Sequence, residues 1–436
     1  MSAISTRTRA LAGLALAATS ALVLAGCASG STSGDGAGSY AAAECAADST
    51  SANTFKVGAL LPITGSLAFL GPPEIAGVGL AVADINAAGG VNGSQACLYA
   101  TDSGDSSDMT VSTASAEDLI AQKVSVVIGA ASSSVSLNVV DSFTEAKIVQ
   151  ISGANTAATL SGYSPFYFRT APPDTVQGSA LGQLIVGDGN ANVAFIVFND
   201  AYGTGLRDST ALAIEEGGGA ITYGAAGSGQ EFPPGQTTFS AEVTAAIASA
   251  PDAIVVVAFD ETKSIIPELV AQGWDMSKVY LTDGNTSDYS EAFEVGTLTG
   301  TQGTIPGAKA EGTFKDNMSA YWLAVEGEEL TDWSYGAESY DATILAALAA
   351  TKGGATDPVT IQENLAAVSG ADGGEKCGTY ADCVSLLKDG KDIQYQGPSS
   401  VGPFNANNDP SSAFIGIYKF EESNKPVWVS AVEGKS

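Results

Sequence analysis

Residues 55–91 read FKVGALLPITGSLAFLGPPEIAGVGLAVADINAAGGV. The run Phe55-Lys56-Val57-Gly58-Ala59-Leu60-Leu61 is short and apolar, the composition of a strand buried on both faces. A Pro-x-x-Gly loop, Pro62 to Gly65, follows it. Residues 72–88 then repeat apolar side chains at helical spacing, and Gly89-Gly90 stops the helix. A buried strand that passes through a short loop into a helix is the opening of an α/β unit.

The alternation continues outward. Ala96–Thr101 reads as a strand, 108–122 as a helix and Val124–Ile128 as a β-branched strand ending in a Gly-Ala-Ala-Ser-Ser-Ser turn. Residues 135–146 read as a helix and Ile148–Ser152 as another strand. Pro172-Pro173 separates this series from a second one. That series has helices at 175–187, 203–216, 238–249 and 262–272, with strands at 192–198, 221–223, 253–259 and 278–282. A third block holds helices near 314–326, 336–350 and 359–368. The chain closes with strands at 411–420 and 426–431, after a turn at Asn407-Asn408-Asp409-Pro410. The pattern predicts an α/β protein of two Rossmann-like lobes, each with a central parallel sheet covered by helices. In such sheets ligands sit beyond the carboxyl ends of the strands, where helix N-termini favour anions. Two facing lobes therefore make a cleft that can shut by hinge motion.

The N-terminus carries a different signal. Arg7 and Arg9 precede Leu11–Ala25, an almost unbroken apolar run of about fifteen residues. That is short for a membrane span and right for a signal-peptide core. It ends in Leu24-Ala25-Gly26-Cys27, which resembles a bacterial lipoprotein lipobox. The resemblance implies cleavage before Cys27 and a lipid on its sulfur, anchoring the protein to the outer face of the cell membrane. Residues 28–44, ASGSTSGDGAGSYAAAE, are too poor in apolar side chains to fold and read as a flexible tether. Residues 1–26 are thus expected to be a signal peptide and 27–52 a lipidated tether.

Composition narrows the remainder. The chain of 436 residues carries 18 Lys and Arg against 48 Asp and Glu, a net charge of −30. Acidity of this size, without a basic patch, argues against nucleic acid as a partner. With no histidine at all, Ser-His-Asp and Cys-His hydrolases and histidine-ligated zinc are excluded, and a G-x-S-x-G elbow is absent. Neither an enzyme nor a cofactor is indicated. Of five cysteines, four remain after Cys27, and export permits disulfides. Cys377 and Cys383 can close a small loop, leaving Cys45 to pair with Cys97; scattered cysteines without C-x-x-C make a metal site the poorer alternative. Asp102, Asp105 and Asp108 lack the spacing of a calcium loop and read as a solvated loop capping the next helix.

Residues 55–91, Val127-Ile128-Gly129 with its serine loop, the 151–156 turn, Tyr202-Gly203 and the strand ending at Phe259 together resemble a known family. It is the leucine/isoleucine/valine-binding (branched-chain amino acid) family of type I periplasmic solute-binding proteins. The resemblance covers most of 55–430. It implies a monomeric receptor of an ABC importer that captures an amino acid or amino-acid-like solute and meets an ABC permease. It also implies a three-segment hinge, with lobe 1 at 53–173 plus 305–395 and lobe 2 at 176–302 plus 400–436. Position by position, Ser133 falls where a hydroxyl binds the solute's carboxylate. Ala154 and Thr156 match backbone and hydroxyl contacts to its head group. Tyr202 matches a tyrosine reaching in from lobe 2, and Asp283 an acid that pairs with the ammonium. Phe259 stands where the family often has a tyrosine, and no tyrosine occurs near Phe69 and Leu70, so leucine specificity does not follow.

Plainer roles exist for each residue: helix cap for Ser133, turn cap for Thr156, core for Tyr202, polar turn for Asp283. Two other functions fit the same pattern, namely a sensor of the same fold and a receptor for an amide, urea or small carboxylic acid. The anchor is testable alone. Cys27→Ala is expected to abolish incorporation of labelled palmitate and to move the protein from the membrane fraction to the soluble fraction; retention at the membrane would refute the lipid.

Overall fold

A computed structural model describes residues 40–46, 54–307, 309 and 312–436; the expected signal peptide and Cys27 lie outside the described residues. The first series comprises β1 (Phe55–Leu61), α1 (Gly71–Ala87), β2 (Ala96–Asp102), α2 (Met109–Ala121), β3 (Val126–Gly129), α3 (Ser133–Glu145), β4 (Val149–Ser152) and β5 (Tyr167–Arg169). Its sheet runs β2-β1-β3-β4-β5 and is parallel throughout. Alternate residues of β1 serve opposite faces, as the two-residue period of a strand requires. Val57, Ala59 and Leu61 join α1 on one side, while Leu60 meets α2 and α3 on the other.

The second series comprises α4 (Asp174–Gly187), β6 (Asn192–Val197), α5 (Ala201–Glu216), β7 (Ala220–Tyr223), α6 (Ser240–Ala248), β8 (Ala253–Val257), α7 (Thr262–Ala271), β9 (Val279–Leu281) and β10 (Gln302–Pro306). The chain then returns to the first lobe for α8 (Gly312–Glu326), α9 (Gly336–Gly353), α10 (Pro358–Ser369), β11 (Glu375–Cys377), α11 (Tyr380–Lys388) and β12 (Ile393–Tyr395). It crosses once more to end in β13 (Ser412–Phe420) and β14 (Pro426–Lys435). The second sheet runs β14-β13-β10-β9-β8-β6-β7.

Three expectations need correction. The second sheet is mixed rather than parallel, because β13 runs antiparallel to both β10 and β14. A short connection between β13 and β14, with Asn424 at positive φ, allows only a hairpin. The expected lobe boundary at 305 falls inside β10, whose residues through Pro306 all pair in the second sheet. Finally, residues 40–46 of the expected tether are held against the first sheet. Ala43 and Cys45 bond across to Leu98 (2.8 and 2.9 Å), Glu44 bridges it in parallel, and Tyr40 packs edge-on against Tyr321 at 5.6 Å. Strand β2 would otherwise be an open edge with unpaired backbone groups, and these residues cover it. Disulfides join Cys45 to Cys97 and Cys377 to Cys383.

Packing also fixes small residues. Helix α1 starts with Pro72 and Pro73 in its first turn, where a missing N–H costs nothing, and lies so close to α9 that a Cβ on Gly77 would sit 2.1 Å from the Gly336 carbonyl. Patterning did not separate β5, β11 and β12, of three residues each, the nine-residue α11, or β10, whose Gly303 and Pro306 read unlike a strand.

The three crossings lie at 170–173, after β10, and between β12 and β13. Arg169, wholly buried at the first of them, donates to Asp409 of the third at 2.6 Å, to the Ala157 carbonyl at 2.9 Å and to Ser161 at 2.6 Å. Breaking such a pair strands a buried charge, so Asp409→Ala is expected to lower unfolding free energy by roughly 3–5 kcal/mol in urea titrations; a loss under 1 kcal/mol would contradict it.

Candidate functional site

The carboxyl ends of β1, β3 and β4 face those of β6, β8 and β9, and the residues that follow these strands enclose one cavity. On the first lobe it is lined by Leu67 and Leu70 after β1, by Ala131, Ser132 and Ser133 after β3, and by Ala154, Asn155 and Thr156 after β4. On the second lobe it is lined by Tyr202, Phe259, Asp283 and Gly284, with Tyr335 reaching in from the start of α9. All six residues singled out in the sequence border this one space. Neither lysine nor arginine does.

Each side chain is held by local chemistry. Ser132 caps α3, which puts the Ser133 hydroxyl at the positive end of that helix. Ser133 Oγ accepts from the Thr156 and Ala157 N–H groups at 3.3 and 3.2 Å. Ser152 Oγ accepts from the Ala154 and Asn155 N–H groups at 3.2 and 3.0 Å and donates to the Ala130 carbonyl at 2.7 Å. The Ala154 amide is therefore already engaged in this closed form, and its methyl forms wall. The loop carrying Leu67 is pinned by the aspartates after β2. Asp102 accepts from the Ile63 and Thr64 N–H groups, both at 3.1 Å, and Asp105 from Ser66 N–H at 2.7 Å. Gly65 lies at φ +93°, and a Cβ there would come 2.6 Å from the Asp105 carboxylate. Asp108 caps α2.

On the other side Asp200 caps α5, placing Tyr202 one residue into the helix. The Tyr202 ring stacks on Phe259 with centroids 5.4 Å apart and planes 15° from parallel. Asp283, 6% exposed, follows β9, and none of the ion pairs seen among the described residues includes it. Its Oδ1 accepts from Tyr202 Oη at 2.7 Å and Gln177 Nε2 at 2.8 Å, and its Oδ2 from Tyr335 Oη at 2.6 Å. Burial pushes the Asp283 carboxyl above its ordinary range, while the hydrogen bonds from Tyr335, Tyr202 and Gln177 pull it back down.

The lobes are shut. Ser134 accepts from the Ala201 N–H across the gap at 3.2 Å, and Asp174 N–H donates to the Thr156 carbonyl at 2.7 Å. Leu67, Leu70, Ala131, Ala154 and Tyr335 are packed into the hydrophobic core of the second lobe. The cavity measures about 20 Å³, room for little more than a water molecule, so a solute must enter with the lobes apart. Sequence reading missed Tyr335 and Gln177. Tyr335 adopts the left-handed conformation just before α9, at φ +59°, and only its place before Gly336 hints at a helix start. Gln177 lies within a helix and offers no signal.

Residues 54–383 match the model of the periplasmic binding protein family. Among relatives, the Leu/Ile/Val-binding protein homolog 2 of Brucella abortus is 32% identical over 169 residues, 38% of this chain and 45% of that protein. The chain thus spans less than half the length of that relative. Among solved structures, a branched-chain amino acid transporter substrate-binding protein of Streptococcus pneumoniae, in complex with isoleucine, has a TM-score of 0.69 at 23% identity over 88% of this chain and 100% of its own. A solute-binding protein of an ABC transporter from Rhodopseudomonas palustris, in complex with p-hydroxybenzoic acid, has a TM-score of 0.70 at 17% identity over 88% and 98%. At these identities the likeness is one of fold.

The Asp283 arrangement predicts a pH signature. Because its folded pKa is raised, the stability it contributes is complete below the usual carboxylate range, near pH 4, and declines as pH rises through the folded value. Tyr335→Phe removes a donor to the ionised form. It is expected to raise the Asp283 pKa further and to cost about 1–2 kcal/mol, more at pH 8 than at pH 4. Urea unfolding at the two pH values measures this, and an equal loss at both would contradict it.

Proposed function

This chain belongs to the periplasmic binding protein family, and from that premise we propose that it captures an amino-acid-like zwitterion between its lobes for an ABC importer. The observation that carries the reading is Asp283: a buried carboxylate in the cavity wall, held by three neutral donors, with no lysine or arginine among the described residues that line the cavity. Desolvated carboxylates favour a charged, hydrogen-bonding partner, and an α-ammonium supplies one. Across the cavity the N-terminus of α3 and the hydroxyls of Ser133 and Thr156 suit the solute's carboxylate. Leu67, Leu70, Ala154, Tyr202, Phe259 and Tyr335 form the surround for its side chain.

In this reading the open form admits the solute and the solute bridges both lobes, so closure is favoured by contacts that exist only when the lobes meet. A permease then distinguishes the closed form from the open one. The lobes that move are those built on the two sheets, hinged at the three crossings. The mature protein is held to the outer face of the membrane by lipid on Cys27 and performs no catalysis.

A second reading, a receptor for a carboxylic acid without an ammonium, is favoured by one observation. Asp283 already has three donors, and the stacked Tyr202 and Phe259 rings suit a planar solute. The p-hydroxybenzoic acid seen in the Rhodopseudomonas palustris protein motivates the comparison. Thermal melting with L-leucine, L-isoleucine, L-valine and 4-hydroxybenzoate separates the two. A bound solute at a hundredfold excess over Kd is expected to add about 2.7 kcal/mol. Asp283→Ala is expected to remove the amino-acid shift and to spare a shift by 4-hydroxybenzoate. No shift across the amino acids would refute the zwitterion.

A further inference from the structure

Asp174 opens α4 at the first crossing, directly behind the Thr156 wall of the cavity. Its backbone N–H donates to the Thr156 carbonyl at 2.7 Å. Its side chain is wholly buried, and neither carboxyl oxygen has a hydrogen-bond partner. The Thr156 hydroxyl is likewise buried and unpartnered. The backbone bond holds the two residues side by side, and the Thr156 hydroxyl draws the Asp174 carboxyl's pKa downward. Behind the carboxyl, Gly205 of α5 leaves no space: a Cβ there would lie 2.9 Å from Asp174 Oδ2. Thr156 is therefore the neighbour through which Asp174 communicates with the cavity.

A hydroxyl has one proton to donate. If Asp174 is ionised, Thr156 donates to it and shows the cavity only lone pairs, which repel a carboxylate. If Asp174 is protonated, it donates to Thr156, and the Thr156 proton is free to point at a carboxylate. We propose that Asp174 in its protonated form is a positioning residue that turns the Thr156 hydroxyl into a donor toward the solute, so that capture starting from the ionised state takes up one proton from solvent. This rests on Thr156 being a solute-binding residue.

The surroundings favour the neutral form. Burial dominates and pushes the Asp174 carboxyl up to about 8. The Thr156 hydroxyl opposes this, Asp283 and Asp200 reinforce it with their negative charge, and Arg169 opposes it. Arg169 is committed elsewhere, to Asp409, Ala157 and Ser161. The first turn of α4 favours an anion, a smaller effect than leaving a carboxylate dry and without a partner.

Two measurements on the full chain test this. First, protein labelled with ¹³C at the aspartate carboxyls is titrated without solute, with Asp174→Asn identifying the Asp174 signal. A midpoint near 8 is expected, and a midpoint in the ordinary carboxylate range overturns the inference. Second, calorimetry with L-isoleucine between pH 6.5 and 9, in buffers of different ionisation heat, reads the proton count. In the unmodified protein, affinity should hold below about pH 8, with no proton exchanged, and fall about tenfold per unit above it, with uptake of one proton on binding there. In Asp174→Asn, or in Thr156→Val from the other partner, the profile should be flat. A merely structural role would shift affinity equally at all pH values, and retention of the original profile by Asp174→Asn overturns the proposal. If L-isoleucine gives no heat at any pH, the zwitterion reading falls, while the carboxyl titration still decides the state of Asp174.

Discussion

Asp283 is buried in the cavity wall with three neutral donors, and no described residue lining that cavity is basic; the cleft is arranged around that condition. A carboxylate in such a place is stable only if every lone pair is met and the nearest charges are few. Tyr202 from α5, Gln177 from α4 and Tyr335 from α9 meet it from three separate elements. The Tyr335 contact exists only when the lobes are together, so the same acid that suits an ammonium also helps the cleft to shut. The net charge of −30 fits this economy. A zwitterion carries no net charge and is not repelled by the protein's field, whereas a simple anion would be.

The fold was legible because strand and helix alternate without interruption from residue 55, and every long element of that alternation occurs within a few residues of its expected place. What escaped was short or compositionally atypical. Three-residue strands such as β5 have no period to read, and β10 hides behind Gly303 and Pro306. The antiparallel close of the second sheet follows from one tight turn near Asn424, which outweighs the parallel habit of everything before it. The six site residues could be found because they follow strand ends, where α/β sheets concentrate their chemistry. Tyr335 and Gln177 could not. One is a left-handed residue before a helix and the other a polar residue within one, and each meets Asp283 only because tertiary packing turns it there.

The buried polar groups behind the wall are as ordered as the wall itself. Ser152, Asn155, Ser136 and Gln150 share one network around the Ala130 and Gly129 carbonyls, and Arg169 makes a separate one with Asp409, Ser161 and the Ala157 carbonyl. Such networks are costly when half satisfied and rigid when complete. Thr156, which lines the cavity, and Asp174 beside it are among the buried groups that this bonding leaves without a partner.

Residues 40–46 lie along the outer edge of β2 and are riveted there by the Cys45–Cys97 bond. Any tension arriving along the chain from before Tyr40 is therefore delivered in shear to the first sheet, at an edge remote from the three crossings. The second lobe carries none of that load. A pull from that side would strain the first sheet while leaving the joints between the lobes slack.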